Sequence, residues 1–486
     1  MSAVASMFRF PLMAAVLVLG SLLVETCLGQ EAAAPAPPSL GSRDAVASTP
    51  GERAMSLVGL AAFLGIAWLL STNRWKVDWK IVGWGTAQQF IIAVLVLKTW
   101  PGRRLFELAN DAFNALTAHT VKGAEFLFGN LVWNNVPTGS GSASAPEMNP
   151  ISPGGEWAHT GAFFAFNVLP TIIFFSALMT LLYHWGLMQA VVRGLGWIMS
   201  RTMNISGAES LSTAGNIFLG QTEAPLMIKP YLSDMTRSEL HCIMTGGFGT
   251  VAGGVLAAYV AMLSRHFGPD IAGHLISASV MAAPACIVTS KLMWPETDVP
   301  VTRGGARIKL ERVDANSIDA AARGAGEGLT LALNVGAMLL AFIALISLAN
   351  AVVSWSLSWF GVEGFNLQTA LGWLGAPLAW LMGIPWREAI DVGTLLGEKT
   401  VLNEFVAYYH LSQMLQTPDT LSPRSVVIAS YALCGFANFS SIAIQIGGIG
   451  GMVPHRRHEL SVLGLRAMVA GTLANFMTAC VVGVLL

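Results

Sequence analysis

The chain has 486 residues, of which 54% are hydrophobic and only 11% are charged, and its mean hydropathy is +0.59. An ordinary soluble domain carries about 25% charged residues, so this composition cannot supply a water-exposed surface. The 27 basic and 28 acidic side chains nearly cancel, which excludes a nucleic-acid-binding protein and an acidic tail. The five cysteines fit neither a disulfide framework nor a metal site: Cys27, Cys242, Cys286, Cys434 and Cys480. The composition predicts an all-α polytopic membrane protein.

The N-terminal residues 1–29 predict a cleavable signal peptide. Arg9 precedes a short apolar run from Phe10 to Val24, and small residues flank Leu28 as at a cleavage site. An uncleaved signal anchor and a lipoprotein site at Cys27 remain as alternatives. Residues 30–53 are rich in alanine and proline, without apolar periodicity, and predict a disordered tail.

Eight apolar stretches are long enough to cross a bilayer. They cover residues 54–72, 82–100, 165–184, 241–263, 274–294, 327–350, 425–447 and 464–486. If two further stretches, 211–232 and 391–412, do not cross, four clusters of basic residues fall on one side of the membrane. Only Arg103 and Arg104 then lie on the other side. The mature chain then begins and ends outside, and residues 301–326 form the most basic cytoplasmic loop.

Two amphipathic stretches are predicted to lie along the membrane surfaces instead of crossing. Residues 103–130 are expected at the outer surface and residues 185–203 at the inner one.

The two non-crossing stretches belong to an internal repeat. Each contains a glutamate at membrane depth, Glu223 or Glu404, and each precedes an interrupted span, at Gly246–Gly254 or Cys434–Ser441. A charged side chain at the bilayer centre costs about 2.5–3.5 kcal/mol or more, so both glutamates need a functional reason. Five glycines in the first interrupted span predict a break there, with close helix packing as the alternative. Inverted repeats with discontinuous helices are typical of secondary transporters.

The pattern divides the chain into predicted parts. After the tail come scaffold and interfacial helices (54–203), a first transport repeat (204–300), a cytoplasmic loop (301–326), a scaffold helix with an outer connection (327–390) and a second transport repeat (391–486).

Three elements carry a family resemblance. Gly220–Pro225 (GQTEAP), Lys399–Tyr408 (KTVLNEFVAY) and Gly435–Ser441 (GFANFSS) resemble the concentrative nucleoside transporter family, in its bacterial eight-span, sodium-coupled type. The resemblance covers most of residues 54–486. It implies eight spans plus two re-entrant hairpins, at 211–232 and 391–412, and a homotrimer in the inner or plasma membrane.

The resemblance also implies a substrate site. Nucleobase-facing residues would be Gly220, Gln221, Thr222, Glu223, Val255 and Phe436, and ribose-binding residues would be Glu404, Asn438 and Ser441. Amide, hydroxyl and carboxylate groups can read the edge of a base, directly or through water. A carboxylate can accept hydrogen bonds from two vicinal hydroxyls of a sugar. The sequence leaves purine against pyrimidine preference open.

The coupling ion would lie between the first hairpin and the first interrupted span. The family pattern maps the side chains of Asn216 and Thr250 there, with the carbonyls of Leu219 and Val251. A shell of neutral oxygens suits Na⁺, and helix C-terminal ends attract cations. The resemblance therefore implies nucleoside import by sodium symport, without another cofactor.

Three rival functions remain. A proton carried by Glu223 or Glu404 would replace sodium as the coupling ion. An intramembrane enzyme lacks support, because the sequence has no HExxH, GxSxG or paired aspartates in adjacent spans. A nucleoside sensor or channel fits two glutamates between repeats less well than alternating access does.

Overall fold

The computed structural model describes residues 48–133, 135–138, 156–159, 164–268, 270–303, 314–359, 365–417 and 420–486. The helices of its first half are α1 (Pro50–Leu69), α2 (Trp79–Lys98), α3 (Trp100–Phe128), α4 (Leu169–His184), α5 (Leu187–Met203), α6 (Gly207–Asn216), α7 (Glu223–Leu226), α8 (Arg237–Gly249), α9 (Gly253–Phe267) and α10 (Ile271–Met293). Those of the second half are α11 (Ser317–Ser358), α12 (Leu367–Leu381), α13 (Trp386–Val401), α14 (Glu404–Met414), α15 (Pro423–Leu433), α16 (Phe439–Met452) and α17 (Arg457–Leu485).

Several shorter elements connect these helices. They are the 3₁₀ turns Arg74–Lys76, Gly129–Trp133, Lys229–Asp234 and Pro454–Arg456, the π turn Phe164–Val168, and the strands β1 (Asn135–Thr138) and β2 (Glu156–His159). The two strands pair antiparallel, with Val136 opposite Ala158. This small ladder is a correction to a purely helical expectation, within a fold that is otherwise helical.

The described residues contain seven helices long and apolar enough to cross a membrane, and an eighth candidate if the bent pair α12–α13 is counted as one span. Seven of the eight predicted spans fall on the seven long helical segments. The remaining one, 425–447, is divided between α15 and α16, which are separated by the break at residues 434–438. The predicted class, a helical membrane protein with discontinuous spans, is confirmed.

Burial separates the helices into a central group and a peripheral one. In the most apolar part of each segment, 89% of residues are buried in Arg237–Ser264 and in Ile271–Met293, but only 22% in Phe164–His184 and Ser317–Ser358. The spans of the two repeats therefore pack on each other. Helices α4 and α11 pack together at the periphery and turn apolar faces, such as Leu333 and Leu340, outwards.

The two predicted re-entrant stretches each form two helical arms. In the first, α6 ends at Asn216, the chain turns through residues 217–222, and α7 folds back so that Ala224 lies beside Gly215. In the second, α13 and α14 meet at the break Leu402–Asn403. The second hairpin begins at Trp386, five residues before its predicted start, because Pro385 precedes the helix and allows extended backbone there.

Local capping explains where the first-repeat helices begin. Ser206 and Glu209 form a capping box at the start of α6, and Thr236 and Glu239 form one at the start of α8. Each box satisfies amides at the helix start that lack partners inside the helix. The first hairpin and the first interrupted span therefore have defined starting points in the sequence.

Two predicted boundaries need correction. The tail was expected to reach residue 53, but α1 starts at Pro50, where Thr49 and Glu52 form a capping box. The loop was expected to reach residue 326, but α11 starts at Ser317 because Asn316 caps its first turn. The predicted signal peptide, residues 30–47 of the tail and residues 304–313 of the loop lie outside the described residues.

The start of α11 is also fixed by an ion pair. Both carboxylate oxygens of Asp314 accept hydrogen bonds from the guanidinium of Arg323, at 2.6 and 2.9 Å. This pairing lowers the pKa of Asp314 from its ordinary value.

The glycines of the first interrupted span do not form its break. Residues 250–252 are the non-helical ones, whereas Gly249 ends α8 and Gly253 starts α9. A β-carbon on Gly249 would overlap the thiol of Cys286, and one on Gly253 would lie 2.6 Å from the Met179 methyl group. Close helix packing, the alternative reading of these glycines, is what the structure shows.

Candidate functional site

Glu404 lies at the point where the two repeats meet. Its carboxylate accepts a hydrogen bond from the Tyr259 hydroxyl on α9, at 2.9 Å, and another from the Asn438 amide nitrogen, at 2.8 Å. Glu404 is 3% exposed and starts the second arm of the second hairpin. A buried carboxylate of this kind requires hydrogen-bond donors, and both discontinuous spans supply one.

Asn438 is held in place as the N-cap of α16. Its side-chain oxygen accepts hydrogen bonds from the Ser441 backbone amide, at 2.8 Å, and from the Ser440 hydroxyl, at 2.7 Å. With its oxygen engaged in this way, the amide nitrogen of Asn438 points to Glu404. The GFANFSS element is thus a helix start whose cap also belongs to the site.

The first hairpin joins the same network through Gln221. The Gln221 amide nitrogen donates to the Ser441 hydroxyl at 3.2 Å, and its side-chain oxygen accepts from the Gln445 amide nitrogen at 3.0 Å. Gln445 lies one turn further along α16 and also donates to the Met244 carbonyl at 3.1 Å. The network therefore contains residues from both hairpins and both interrupted spans.

The other residues predicted to face the nucleobase are spread around this network. Val255 is buried on α9, one turn before Tyr259, and Phe436 is partly buried in the break of the second interrupted span. Thr222 places its methyl group against Gly448 of α16. These three positions border the polar groups described above.

Gly220 and Glu223 occupy the tip of the first hairpin. The Glu223 carboxylate folds over Gly220, so that a β-carbon on Gly220 would overlap it. The Glu223 side chain is accessible to solvent, whereas that of Glu404 is buried. The sequence predicted both glutamates at membrane depth, Glu223 facing the nucleobase and Glu404 binding the ribose; of the two, Glu404 is the one that hydrogen-bonds within the shared network.

The segments that carry the predicted ion ligands are in contact where the first hairpin meets the first interrupted span. The Gly253 amide donates to the Phe218 carbonyl at 3.0 Å, and the Thr250 hydroxyl donates to the Gly246 carbonyl at 2.8 Å. Leu219 follows this contact on the hairpin, and Val251 lies in the break. The two chain segments that carry the four predicted ligands are therefore in direct contact.

Asn216 provides the best local indication of an ion. It is 1% exposed, and neither atom of its amide has a hydrogen-bond partner among the described residues. Leaving a buried amide unsatisfied costs about 1–3 kcal/mol, so its oxygen is suited to a cation. Within the described residues, no three His, Cys, Asp or Glu side chains form a metal-binding group. The neutral oxygens available here fit a hard monovalent ion better than a transition metal.

Sequence reasoning missed several polar residues of the site. Tyr259 and Gln445 contact predicted residues directly, and Lys399 and Asn475 are buried close to the two breaks. Helical spacing could have indicated Tyr259 from Val255, and Gln445 from Ser441, since residues four apart share a helix face. Asn475 has no comparable signal within its long apolar helix.

If the network binds the nucleoside that the family resemblance implies, Gln445→Leu should raise the KM for that nucleoside by about tenfold. The substitution removes the donor that fixes the Gln221 oxygen, and a net loss of about 1.4 kcal/mol corresponds to tenfold in affinity. Uptake kinetics in proteoliposomes measure the effect. Ser440→Ala removes a hydroxyl of the same helix that does not reach Gln221, and it should change KM less. Equal KM values for wild type and Gln445→Leu would contradict this orienting role.

A helical membrane protein with two hairpins, two broken spans and a polar site between them belongs to the class of secondary transporters. Comparison of the sequence with protein-family models specifies the family. Models of the Na⁺-dependent nucleoside transporter match its N-terminal part at residues 58–131 and its C-terminal part at residues 274–483, and a nucleoside-recognition "Gate" model matches residues 165–265. The chain belongs to the Na⁺-dependent nucleoside transporter family, as its resemblance predicted.

Relatives and solved structures agree with this assignment. Mouse solute carrier family 28 member 3 is 39% identical over 447 residues, and human sodium/nucleoside cotransporter 1 is likewise 39% identical over 447 residues. Those matches cover 89% of this chain but only 59% and 64% of the two relatives. The chain thus spans about three fifths of the length of these curated relatives.

Similar solved structures cover nearly their full length. A structure of CNTnw in an inward-facing substrate-bound state has a TM-score of 0.77 at 40% identity, covering 89% of this chain and 97% of that one. A CNTnw variant in an outward-facing state has a TM-score of 0.79 at 40% identity, covering 90% and 98%. These proteins are transporters, so the family is one of carriers and not of enzymes.

Proposed function

We propose that this protein imports nucleosides together with Na⁺ across the inner or plasma membrane. The observation that carries the proposal is the hydrogen-bond network in which Glu404, Asn438, Ser441 and Gln221 unite both hairpins and both interrupted spans. A ligand bound there would contact both repeats at once. This is the arrangement needed for alternating access around a site at the midplane.

In this proposal Glu404, Asn438 and Ser441 bind the ribose. A carboxylate has about four acceptor positions, and Tyr259 and Asn438 occupy two of those on Glu404. Two positions remain for the vicinal 2′ and 3′ hydroxyls. The Ser441 hydroxyl, which accepts from Gln221, can exchange that partner for the sugar.

The nucleobase is assigned to the first hairpin and two apolar walls. Because Gln445 engages its oxygen, Gln221 presents its amide nitrogen, which can donate to a base carbonyl or ring nitrogen. Thr222 and Glu223 follow Gln221 on the hairpin, with Gly220 allowing close approach of the backbone. Val255 and Phe436 are placed to pack against the base, and uridine is the first substrate to test.

Sodium is assigned to Asn216, Thr250 and the carbonyls of Leu219 and Val251. The buried, unsatisfied Asn216 amide supports this assignment. One Na⁺ moving down a tenfold gradient releases about 1.4 kcal/mol. Crossing 100 mV adds about 2.3 kcal/mol, so one ion per nucleoside is sufficient for several-hundred-fold accumulation. Proton coupling through a glutamate is the competing version of the same function.

The assembly and orientation are also proposals. The family resemblance supports a homotrimer, and the outward apolar faces of α4 and α11 are available to lipid or to other copies. The distribution of basic residues supports N- and C-termini outside the cytoplasm.

Sodium dependence tests the proposed function directly. Wild-type proteoliposomes should accumulate uridine only with an inward Na⁺ gradient, at fixed pH. Asn216→Leu should raise the Na⁺ concentration for half-maximal uptake by about tenfold, because the ion loses one oxygen ligand. Ser210→Ala is the matched control, since that hydroxyl on the same helix is satisfied by the Gly207 carbonyl. Uptake that ignores Na⁺ and follows a pH gradient would overturn sodium coupling.

A further inference from the structure

A chain of buried polar groups lies behind the proposed site and joins the two interrupted spans. The Lys399 ammonium donates to the Ala432 carbonyl and to the Asn475 side-chain oxygen, both at 2.9 Å. The Asn475 amide nitrogen donates to the Gly249 carbonyl at 2.7 Å. Lys399 and Asn475 are each 1% exposed, so neither group has water to replace these partners.

The Gly249 and Ala432 carbonyls occupy equivalent places in the two repeats. Gly249 is the last residue of α8, and Ala432 is the penultimate residue of α15. Carbonyls in the last turn of a helix lack partners within the helix and carry partial negative charge. Lys399 and Asn475 therefore donate hydrogen bonds to carbonyls at the C-terminal ends of both half-helices, where each span stops being helical.

The contact between the breaks is tight as well as polar. Gly435 has φ of +151°, in the region that favours glycine, and a β-carbon there would lie 2.5 Å from the Asn475 oxygen and 2.8 Å from the Phe248 carbonyl. A shift of either break must therefore displace Asn475 or its partners. Residues packed this closely change position together.

Each end of this series of polar groups is followed in the sequence by residues of one proposed ligand site. Gly249 is followed by Thr250 and Val251, which are assigned to sodium. Ala432 is followed, after Cys434 and Gly435, by Phe436 and Asn438, which are assigned to the nucleoside.

We propose that Lys399 and Asn475 are positioning residues that couple sodium binding to nucleoside binding by linking the two breaks. This inference rests on the proposed function and adds the route of coupling to it. Sodium bound at Thr250 and Val251 fixes the end of α8, and Asn475 transmits that restraint to the break that carries Asn438. By reciprocity, bound nucleoside stabilises the sodium site by the same factor.

The test compares nucleoside affinity with and without Na⁺. Uridine Kd is measured by calorimetry on purified protein in detergent, in NaCl and in choline chloride, and the ratio of the two values is the coupling factor. Asn475→Leu should lower that factor at least fivefold. Asn475→Asp keeps the acceptor for Lys399 but loses the donor to Gly249, so it should weaken Na⁺ affinity more than uridine affinity in saturating Na⁺.

The protein offers a matched control variant and a conservative substitution that should retain part of the coupling. Gln89 is a fully buried amide on α2 that donates to Thr478 and to the Met281 carbonyl, neither of which lies in a break, and Gln89→Leu should leave the coupling factor unchanged. Lys399→Arg keeps a cationic donor and should retain more coupling than Lys399→Met. If Asn475→Leu does not fold, Asn475→Asp and the lysine pair decide the outcome.

The results separate the two proposals. Wild-type protein that binds uridine equally with and without Na⁺ would refute sodium coupling itself, and with it the coupling role of Lys399 and Asn475. The wild type can instead bind uridine in a sodium-dependent way while folded Asn475→Leu or Asn475→Asp, and Lys399→Met, keep the same coupling factor. That result would overturn only the coupling role of Lys399 and Asn475. A coupling factor lost in these variants and kept in Gln89→Leu supports it.

Discussion

Glu404→Gln is expected to lower the kcat/KM for uridine uptake by at least a hundredfold. The amide nitrogen introduced by glutamine would face donors, because the Tyr259 hydroxyl and the Asn438 amide both donate to the carboxylate now. It would also present a donor to a ribose hydroxyl. Hydrogen bonds to a charged group contribute about 1.5–3 kcal/mol each, so losing two corresponds to a hundredfold or more.

The same variant tests the sugar assignment when the substrate is changed. A 2′,3′-dideoxynucleoside lacks the two hydroxyls, so Glu404→Gln should reduce its already weak uptake far less than that of uridine. The matched control is Glu398→Gln, which makes the same change at a buried glutamate of the same hairpin whose partner is His410. Near-normal uridine uptake by a folded Glu404→Gln protein would reject the assignment.

The class, the spans and the position of the second break could be predicted from the sequence because they depend on strong local signals. Long apolar runs define the spans, and Asn438 is of a residue type preferred at helix N-caps, the position it occupies at the start of α16. The end of the second hairpin's first arm was harder to locate, because Leu402–Asn403 carries no glycine or proline. Its position is visible only in the folded chain.

The glycines of the first interrupted span show a limit of composition: the break predicted within Gly246–Gly254 is present, but the glycines flank it. Gly249 and Gly253 are required by neighbours on α10 and α4, Cys286 and Met179, which approach too closely for a β-carbon. Those neighbours are distant in sequence, so helical propensity could not distinguish packing from a break. The actual break at residues 250–252 depends on tertiary contacts with the first hairpin.

The two glutamates illustrate the limit for functional residues. Both lie at the start of a helical arm within an apolar stretch, but the Glu404 side chain is buried and that of Glu223 is accessible to solvent. Asn475, 76 residues from Lys399 in the chain, contacts it because α17 packs against the broken-span helices α8 and α15. Long-range pairing of this kind leaves no periodicity in a single sequence, and it decides which polar residues share a site.

A second cluster of buried charges fixes the base of the first hairpin. The Lys291 ammonium on α10 forms a close ion pair with Glu209, contacts Glu296 at 3.3 Å, and donates to the Ser238 hydroxyl at 2.8 Å. Glu209 is the residue that caps α6, so this lysine connects the hairpin to the following span. Glu239, which caps α8, is also buried beside this pair and adds to its negative charge.

Lys291→Met should therefore destabilise the protein strongly, by about 3–5 kcal/mol, because it leaves Glu209 buried without its cation. Unfolding in detergent, followed by tryptophan fluorescence against denaturant, measures the loss. The double variant Lys291→Met with Glu209→Gln should recover much of it, since the uncompensated charge is then removed. Arg323→Met provides a control, because that pair with Asp314 is partly exposed and should contribute about 1 kcal/mol or less. If the double variant were as unstable as the sum of its single changes, the two residues would be energetically independent, and the hairpin base would not depend on their pairing.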